Sequence, residues 1–176
     1  MDRSAPAKRI KQAFLDALGK LDLSVETMDK LAAESEGDKV RGIFRRLGQA
    51  DREVYLVRGV GLMNLHVRSK PPGWWNVLKT VKDDLDWVRR DLKIGCYYVC
   101  LVGRPDDFVA DGYIFSDFSY PPFKRPPGEE ETKYSINERQ HLVRSKVLPS
   151  VEKIAAALAA YRKPKEHEST GESSAF

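Results

Sequence analysis

The chain has 176 residues, of which 41% are hydrophobic and 32% are charged, and its formal net charge is +4. This composition predicts one globular domain, and the longest apolar run, YYVCLVG at 97–103, is far too short to span a membrane. The N-terminus lacks the apolar stretch of a secretory signal, so a cytoplasmic protein with no membrane partner is expected. The mild positive charge is compatible with an anionic partner but does not require one.

Three helices are predicted at the N-terminal end of the chain. Apolar residues at helical spacing predict an amphipathic helix over 7–21, and Ser24 is expected to cap a short helix that carries Val25, Met28 and Leu31. A third helix is predicted over 38–47. Residues 1–34 are therefore interpreted as an N-terminal helical segment, followed by an α/β core domain at 35–162 and a disordered polar tail at 163–176.

The character of the sequence changes at EVYLVRGVGLMNLHVRS, which is rich in β-branched and aromatic residues. Two antiparallel strands are predicted, at about 53–58 and 63–69, joined by a tight turn that contains two glycines. Because alternate side chains of a strand face opposite ways, Leu65 and Val67 are expected on one face. The other face is predicted to carry the polar row Asn64, His66 and Arg68.

All three tryptophans lie within residues 71–87. Apolar residues recur there at intervals of three and four, which predicts a helix over about 75–91 with one apolar face. That face comprises Trp74, Leu78, Val81, Leu85 and Val88. Trp74 is therefore expected in the core, whereas Trp75 and Trp87 lie off the apolar face.

The remainder of the chain predicts more strands and a final helix. CYYVCLVG is typical of a strand buried on both faces, and a further strand is expected at about 112–117. A proline-rich loop at 119–132, a short edge strand at KYSI and a helix capped by Ser150 complete the pattern. The predicted fold is mixed α/β, a small central sheet flanked by helices with a helical N-terminal segment.

Metal-binding and disulfide patterns are weak in this sequence. Cys96 and Cys100 share one strand face about 13 Å apart, which is too far for an intrachain disulfide. They have no second close pair of Cys or His residues, so no zinc site and no resident cofactor is expected. Asp51 and Glu53 are carboxylates that could contribute to a Mg²⁺ site.

The candidate catalytic residues are Glu53, His66 and Arg68. Histidine titrates near neutral pH and arginine binds phosphate with its planar fork, so the polar row can form a site. The alternative is an ordinary solvated or helix-covered strand face.

Basic residues occur in several short clusters, which together allow a surface that binds a phosphate backbone. Each cluster alone is more typical of a solvated surface. Base stacking would need an exposed tryptophan beside such cations. The candidate nucleic-acid-binding residues are Arg41, Arg45, Lys70, Trp75 and Lys79.

Residues 38–117, a helix followed by adjacent strands, a charged row, a helix and a further strand, resemble the core of the restriction-endonuclease-like PD-(D/E)xK superfamily. The resemblance implies an Asp near one strand and a Glu-x-Lys on the next, which hold Mg²⁺ and activate water. Here His66-Val67-Arg68 stands at the Glu-x-Lys position, and the preceding acid would be Asp51 or Glu53. Since neither His nor Arg supplies a carboxylate, the resemblance implies a degenerate, non-catalytic member.

Two functional hypotheses follow. The first is a non-catalytic accessory domain that binds nucleic acid or a protein partner. The alternative is a Mg²⁺-dependent nuclease acting on DNA or RNA phosphodiesters. A homo-oligomer is compatible with either.

Overall fold

The structure, a computed structural model, describes residues 3–104, 110–115, 132–138 and 147–163. Within these ranges the chain forms five helices and seven strands. In chain order they are α1 (Ala5–Lys20), β1 (Val25–Thr27), α2 (Met28–Glu34), α3 (Asp38–Leu47), β2 (Val54–Val57), β3 (Gly61–Arg68), β4 (Trp74–Leu78), α4 (Lys79–Asp91), β5 (Cys96–Gly103), β6 (Ala110–Phe115), β7 (Lys133–Asn137) and α5 (Val151–Ala159). The predicted mixed α/β class is confirmed.

The main sheet has five strands in the order β1-β2-β3-β5-β6. Strands β3 and β5 are parallel, and the chain crosses between them through β4 and α4. The other neighbours are antiparallel. A separate two-stranded sheet pairs β4 with β7 in antiparallel register.

The predicted hairpin is confirmed as β2 and β3, with Val54 opposite Asn64. Its second glycine, Gly61, has a φ of 145°, and a Cβ there would lie 2.2 Å from the carbonyl oxygen of Gly95. Gly61 therefore permits the close approach that starts the parallel pairing of β3 with β5.

A hydrophobic core lies on each face of the main sheet. Helices α1 and α5 cover one face, where Phe14 and Ile154 pack against Leu65 and Val99. Helices α2, α3 and α4 and the small sheet cover the other face. Strand β5, between these layers, is buried at all eight positions, as its sequence predicts.

The tryptophan segment is the main correction to the predicted elements. Residues 74–78 form a strand, and the helix begins only at Lys79. Trp74, expected in the core, is 49% exposed, whereas Trp75 is 3% exposed. The cause is the pairing of Trp75 with Ile136 in β7, because the strand pleat then turns Trp75 inward and Trp74 outward.

Helix α4 buries Val81, Leu85 and Val88 as predicted. Lys82 lies off that predicted apolar face, yet it is only 7% exposed. Its ammonium lies 2.7 Å from the carboxylate of Asp86 and 5.5 Å from the ring centre of Tyr134. This ion pair and cation–π contact compensate the charge at a position that the small sheet covers.

Other predictions fare differently along the chain. Val25 belongs to β1 rather than to the second helix, because it pairs with Val57 at the edge of the main sheet. The hydroxyl of Ser150 accepts a hydrogen bond from the Lys153 amide at 3.1 Å, so the predicted cap is confirmed.

Within the described ranges no helix is long and apolar enough to cross a membrane. The predicted 119–132 loop and 163–176 tail lie outside the described residues, except for Thr132 and Lys163.

Candidate functional site

A cleft of about 420 Å³ lies beside the C-terminal half of β3, between that strand and β4. Its lining combines cations, a polar pair and an apolar wall. The cations are Arg3, Arg52, Arg68 and Lys133, the polar pair is Asn64 and His66, and the wall includes Trp74, Leu78 and Val81.

The cleft forms where β3 changes from apolar to polar on one face. Leu62 is fully buried under the helices of that face, and Asn64 is still buried, but His66 and Arg68 are only partly covered. Since these side chains alternate along one strand, they project on the same side. The polar row that the sequence predicts is therefore real, and it lines the cleft.

The side chain of Asn64 fixes the orientation of His66. The Asn64 amide nitrogen donates to the carbonyl oxygen of Arg52 at 2.8 Å and lies 3.4 Å from that of Glu53. Its side-chain oxygen must then face the His66 Nε2 atom, 2.6 Å away. Because that oxygen can only accept, His66 Nε2 carries a proton and donates.

The imidazole of His66 is neutral at physiological pH. Burial lowers its pKa from the ordinary value of 6.5 to about 4. With the proton on Nε2, the Nδ1 atom keeps its lone pair. His66 therefore adds no positive charge to the cleft.

The four cations of the cleft have no ion-pair partner in the part of the chain that the structure describes. Arg68 Nε donates to the carbonyl oxygen of Pro72 at 3.0 Å, and Arg52 donates to the Thr80 hydroxyl at 2.7 Å. These neutral acceptors orient the guanidinium groups and leave their charge uncompensated. Asp51 is the single carboxylate among the described lining residues, so the lining is net positive.

A polar junction holds the small sheet against the main sheet. Glu138, after β7, accepts hydrogen bonds from Arg104 at 2.9 Å and from the Tyr113 hydroxyl at 2.7 Å. Its backbone amide donates to the carbonyl oxygen of Gly73 at 2.9 Å, just before Trp74. Burial opposes ionisation of Glu138, but the hydrogen bonds from Tyr113 and Arg104 keep its pKa below the ordinary value. The junction therefore fixes the position of β4, one side of the cleft.

The predicted catalytic residues do not all meet. His66 and Arg68 line the cleft, but Glu53 does not. The Glu53 carboxylate lies 2.8 Å from the Lys11 ammonium of α1 and accepts a hydrogen bond from the Tyr55 hydroxyl. Glu53 and Tyr55 alternate with Val54, so their side chains lie on the α1 side of the sheet. Of the two acids considered, Asp51 is the one in the cleft.

The predicted nucleic-acid-binding residues also lie mostly elsewhere. Arg41 pairs with Asp38 on α3, and Lys79 lies 2.8 Å from the Asp83 carboxylate. Arg45 and Lys70 are exposed outside the cleft lining. Trp75 contributes to the cleft wall, but its ring is buried and its indole nitrogen donates to the Leu101 carbonyl oxygen at 2.9 Å. Trp75 therefore has no free face on which a base could stack.

Several lining residues were not predicted as site residues. Arg3, Arg52 and Lys133 come from three distant segments, and no local sequence pattern links them. Trp74 and Asn76 were missed for a different reason. Reading WWNVL as a strand, with alternate residues outward, would have exposed both on one face.

No bound metal site is indicated among the described residues, because nowhere do three His, Cys, Asp or Glu side chains cluster suitably. Comparison with protein-family models, curated proteins and solved structures found no match. The resemblance to the restriction-endonuclease-like superfamily stays a prediction. The geometry of the cleft is therefore the main guide to function.

Proposed function

We propose that this protein is a non-catalytic nucleic-acid-binding protein and that the cleft beside β3 holds the phosphate backbone. The observation that carries the proposal is the group of four cations, Arg3, Arg52, Arg68 and Lys133, with no carboxylate partner among the described residues. Eight other cations of the described chain form ion pairs, as Arg104 does with Asp111 at 2.8 Å.

Unpaired cations around one concavity repel each other and attract an anion. The guanidinium of Arg68 uses Nε for the Pro72 carbonyl, and its two terminal nitrogens have no described protein acceptor. Those nitrogens match the fork geometry that arginine uses on phosphate oxygens. A polyanion supplies several phosphates, which suits cations placed around a cleft better than one small anion does.

The lining favours binding over catalysis. A Mg²⁺-dependent phosphodiesterase needs carboxylates to hold its metal, and Asp51 is alone among the described lining residues. At the position where the family motif has its glutamate, His66 donates through Nε2 to Asn64.

Fluorescence anisotropy with a labelled oligonucleotide tests the proposal. Four phosphate contacts to a single strand predict an affinity that falls about 50-fold between about 50 mM and about 200 mM salt, because bound counterions are released. Arg68→Ala and Lys133→Ala should each weaken binding and lower the salt dependence by about one counterion. The matched controls are Arg45→Ala and Arg90→Ala, which remove exposed cations outside the cleft. Equal loss in both pairs would mean that binding is not located in the cleft.

Absence of binding at low salt would overturn the proposal and leave a protein partner as the alternative.

A Mg²⁺-dependent nuclease is the second candidate function. The observation that favours it is the convergence of Asp51 with His66 and Arg68 in one cleft. Its test is a cleavage assay with Mg²⁺ or Mn²⁺ on the wild type and an Asp51→Asn variant.

A further inference from the structure

The outer face of the small sheet continues the cleft. Strand β4 alternates in burial, so Trp74 and Asn76 point outward while Trp75 and Val77 point into the core. Lys133 begins the partner strand and is exposed on the same face, opposite Leu78 at the far end of β4. The indole of Trp74 is thus half exposed, lines the cleft and lies on the same face as one of its cations.

An exposed tryptophan on a rigid strand is unusual in this fold. Of the other two indoles, Trp75 is buried under the sheet, and Trp87 is partly buried against the core with the Lys39 ammonium 5.0 Å from its ring centre. Leaving about half of a large apolar ring in water gives up stabilisation that burial would supply. Because Trp74 shares the cleft lining with unpaired cations, its exposed ring is available for binding the same ligand.

We propose that the cleft selects single-stranded nucleic acid, with one base stacked on Trp74 and neighbouring phosphates bound by Arg68 and Lys133. This inference rests on the proposed function and adds the class of nucleic acid. In a duplex, base faces are occupied by neighbouring bases, so an indole can stack only on an unpaired base. A concave site of about 420 Å³ accommodates a base and its phosphate but not the width of a double helix.

The position of β4 makes the stacking surface preorganised. The five residue pairs between β4 and β7 fix the backbone from Trp74 onward, and the hydrogen bond from the Glu138 amide to the Gly73 carbonyl oxygen fixes the residue before it. Trp75, the next residue, anchors the strand by its 2.9 Å hydrogen bond to Leu101 and by an edge-on contact with Tyr113 at 6.1 Å. Because the neighbouring residue is buried and fixed, Trp74 loses little freedom when a base stacks on it.

The test compares four labelled ligands at one low salt concentration: a single strand, a duplex, an abasic single strand of equal length and a fluorescent mononucleotide. The abasic strand keeps the phosphates and removes the bases. We expect the single strand to bind about 5-fold to about 150-fold more tightly than the abasic strand, the range that one stacked base supplies. The mononucleotide should bind more weakly than the strand, because it offers fewer phosphates.

Variants of Trp74 give a second measurement. Trp74→Ala should lose the preference for base-bearing strands, Trp74→Phe should retain most of it, and Trp87→Phe should leave it unchanged. Since Trp74 is exposed, the alanine variant is expected to fold, which circular dichroism can verify. Equal affinity for abasic and base-bearing strands, or a preference for duplex, would overturn this inference while leaving phosphate binding intact. Failure of every ligand to bind would instead overturn the proposed function.

Discussion

Strands β3 and β5 lie side by side and parallel, yet they differ in how completely they are covered. Leu62 pairs with Cys96 at one end and Arg68 with Val102 at the other. All eight residues of β5 are buried, whereas β3 is buried only through Leu65 and is partly exposed from His66 onward. The two strands therefore share a register but not an environment.

The covering elements account for the difference. The small sheet lies over the end of β5, where Trp75 donates to the carbonyl oxygen of Leu101, whereas the described structure covers the equivalent end of β3 only in part. At that end β3 carries the polar residues His66 and Arg68, at positions paired with Cys100 and Val102 of β5. A local departure from the apolar pattern that stability favours is typical of a functional site.

The largest expected effect concerns the covered strand. Leu85 of α4 is fully buried in the core that packs on β5. Leu85→Ala should lower the free energy of unfolding by about 2–5 kcal/mol, because it removes buried methyl groups and leaves a cavity. Chemical denaturation measures this change. Arg90→Ala, on the exposed side of the same helix, is the control, and an equal effect of both variants would contradict the assigned helix face.

A smaller effect concerns the open end of β3 and depends on pH. The folded state holds the pKa of His66 at about 4, below its ordinary value of 6.5. Between these values the unfolded chain binds a proton that the folded protein does not, so stability falls as pH is lowered from about 6.5 towards 4 and then levels off. We expect a loss of about 1–3 kcal/mol from this residue.

Denaturation midpoints of the wild type and His66→Gln, measured from pH 7 to pH 4, isolate that contribution. The glutamine cannot titrate, so other groups cancel in the difference. A difference that does not change with pH would mean that the folded protein does not lower the pKa of His66, and the imidazole would then gain its proton near the ordinary value of 6.5.

Asp51 and Glu53, the two acids that precede β2, are expected to differ in their effects on binding and stability. Glu53→Gln should cost about 1 kcal/mol of stability, because it weakens the pairing with Lys11 and Tyr55. It should leave oligonucleotide affinity unchanged, since Glu53 lies outside the cleft. Asp51→Asn should leave stability unchanged. It should tighten oligonucleotide binding a few-fold, because it removes the negative charge of the cleft lining. Isothermal titration calorimetry of both variants tests this pair, and an effect of Glu53→Gln on affinity would place Glu53 at the site.

Sequence reasoning recovered the elements whose periodic pattern is local. Helices α1 and α3, the β2–β3 hairpin, the buried β5 and the capped α5 all follow from spacing, turn glycines or a capping serine. It failed at residues 74–78 because Trp74 and Leu78 are four apart, which fits a helix, while Trp75 and Val77 also fit a strand. The pairing with β7 decides between them, and that strand lies more than fifty residues further along the chain.

The candidate site was predictable in part for the same reason. The row of Asn64, His66 and Arg68 depends on the alternation of one strand, so the sequence predicts it. Tertiary packing brings Arg3 and Lys133 to the cleft and leaves Arg52 without an ion-pair partner there, so a local sequence pattern cannot predict these residues. Arg41 and Lys79 were predicted to bind nucleic acid. Each instead forms an ion pair with a carboxylate on its own helix.

The smallest expected effect is the result of a cleavage assay, in which we predict no metal-dependent hydrolysis. The substrates are plasmid DNA, single-stranded DNA and single-stranded RNA, incubated with Mg²⁺ or Mn²⁺. Asp51 is the sole carboxylate among the described cleft residues, and a single carboxylate holds Mg²⁺ poorly for hydrolysis. His66 keeps a lone pair on Nδ1, but Arg68, at the position of the activating lysine, lacks a neutral form that could accept a proton from water. Robust cleavage that Asp51→Asn abolishes and Glu53→Gln preserves would establish Asp51 as a metal ligand and replace the binding proposal with the nuclease. Cleavage that survives Asp51→Asn, His66→Gln and Arg68→Ala alike would instead indicate a contaminating enzyme, because none of the three groups assigned to a nuclease site would then be needed.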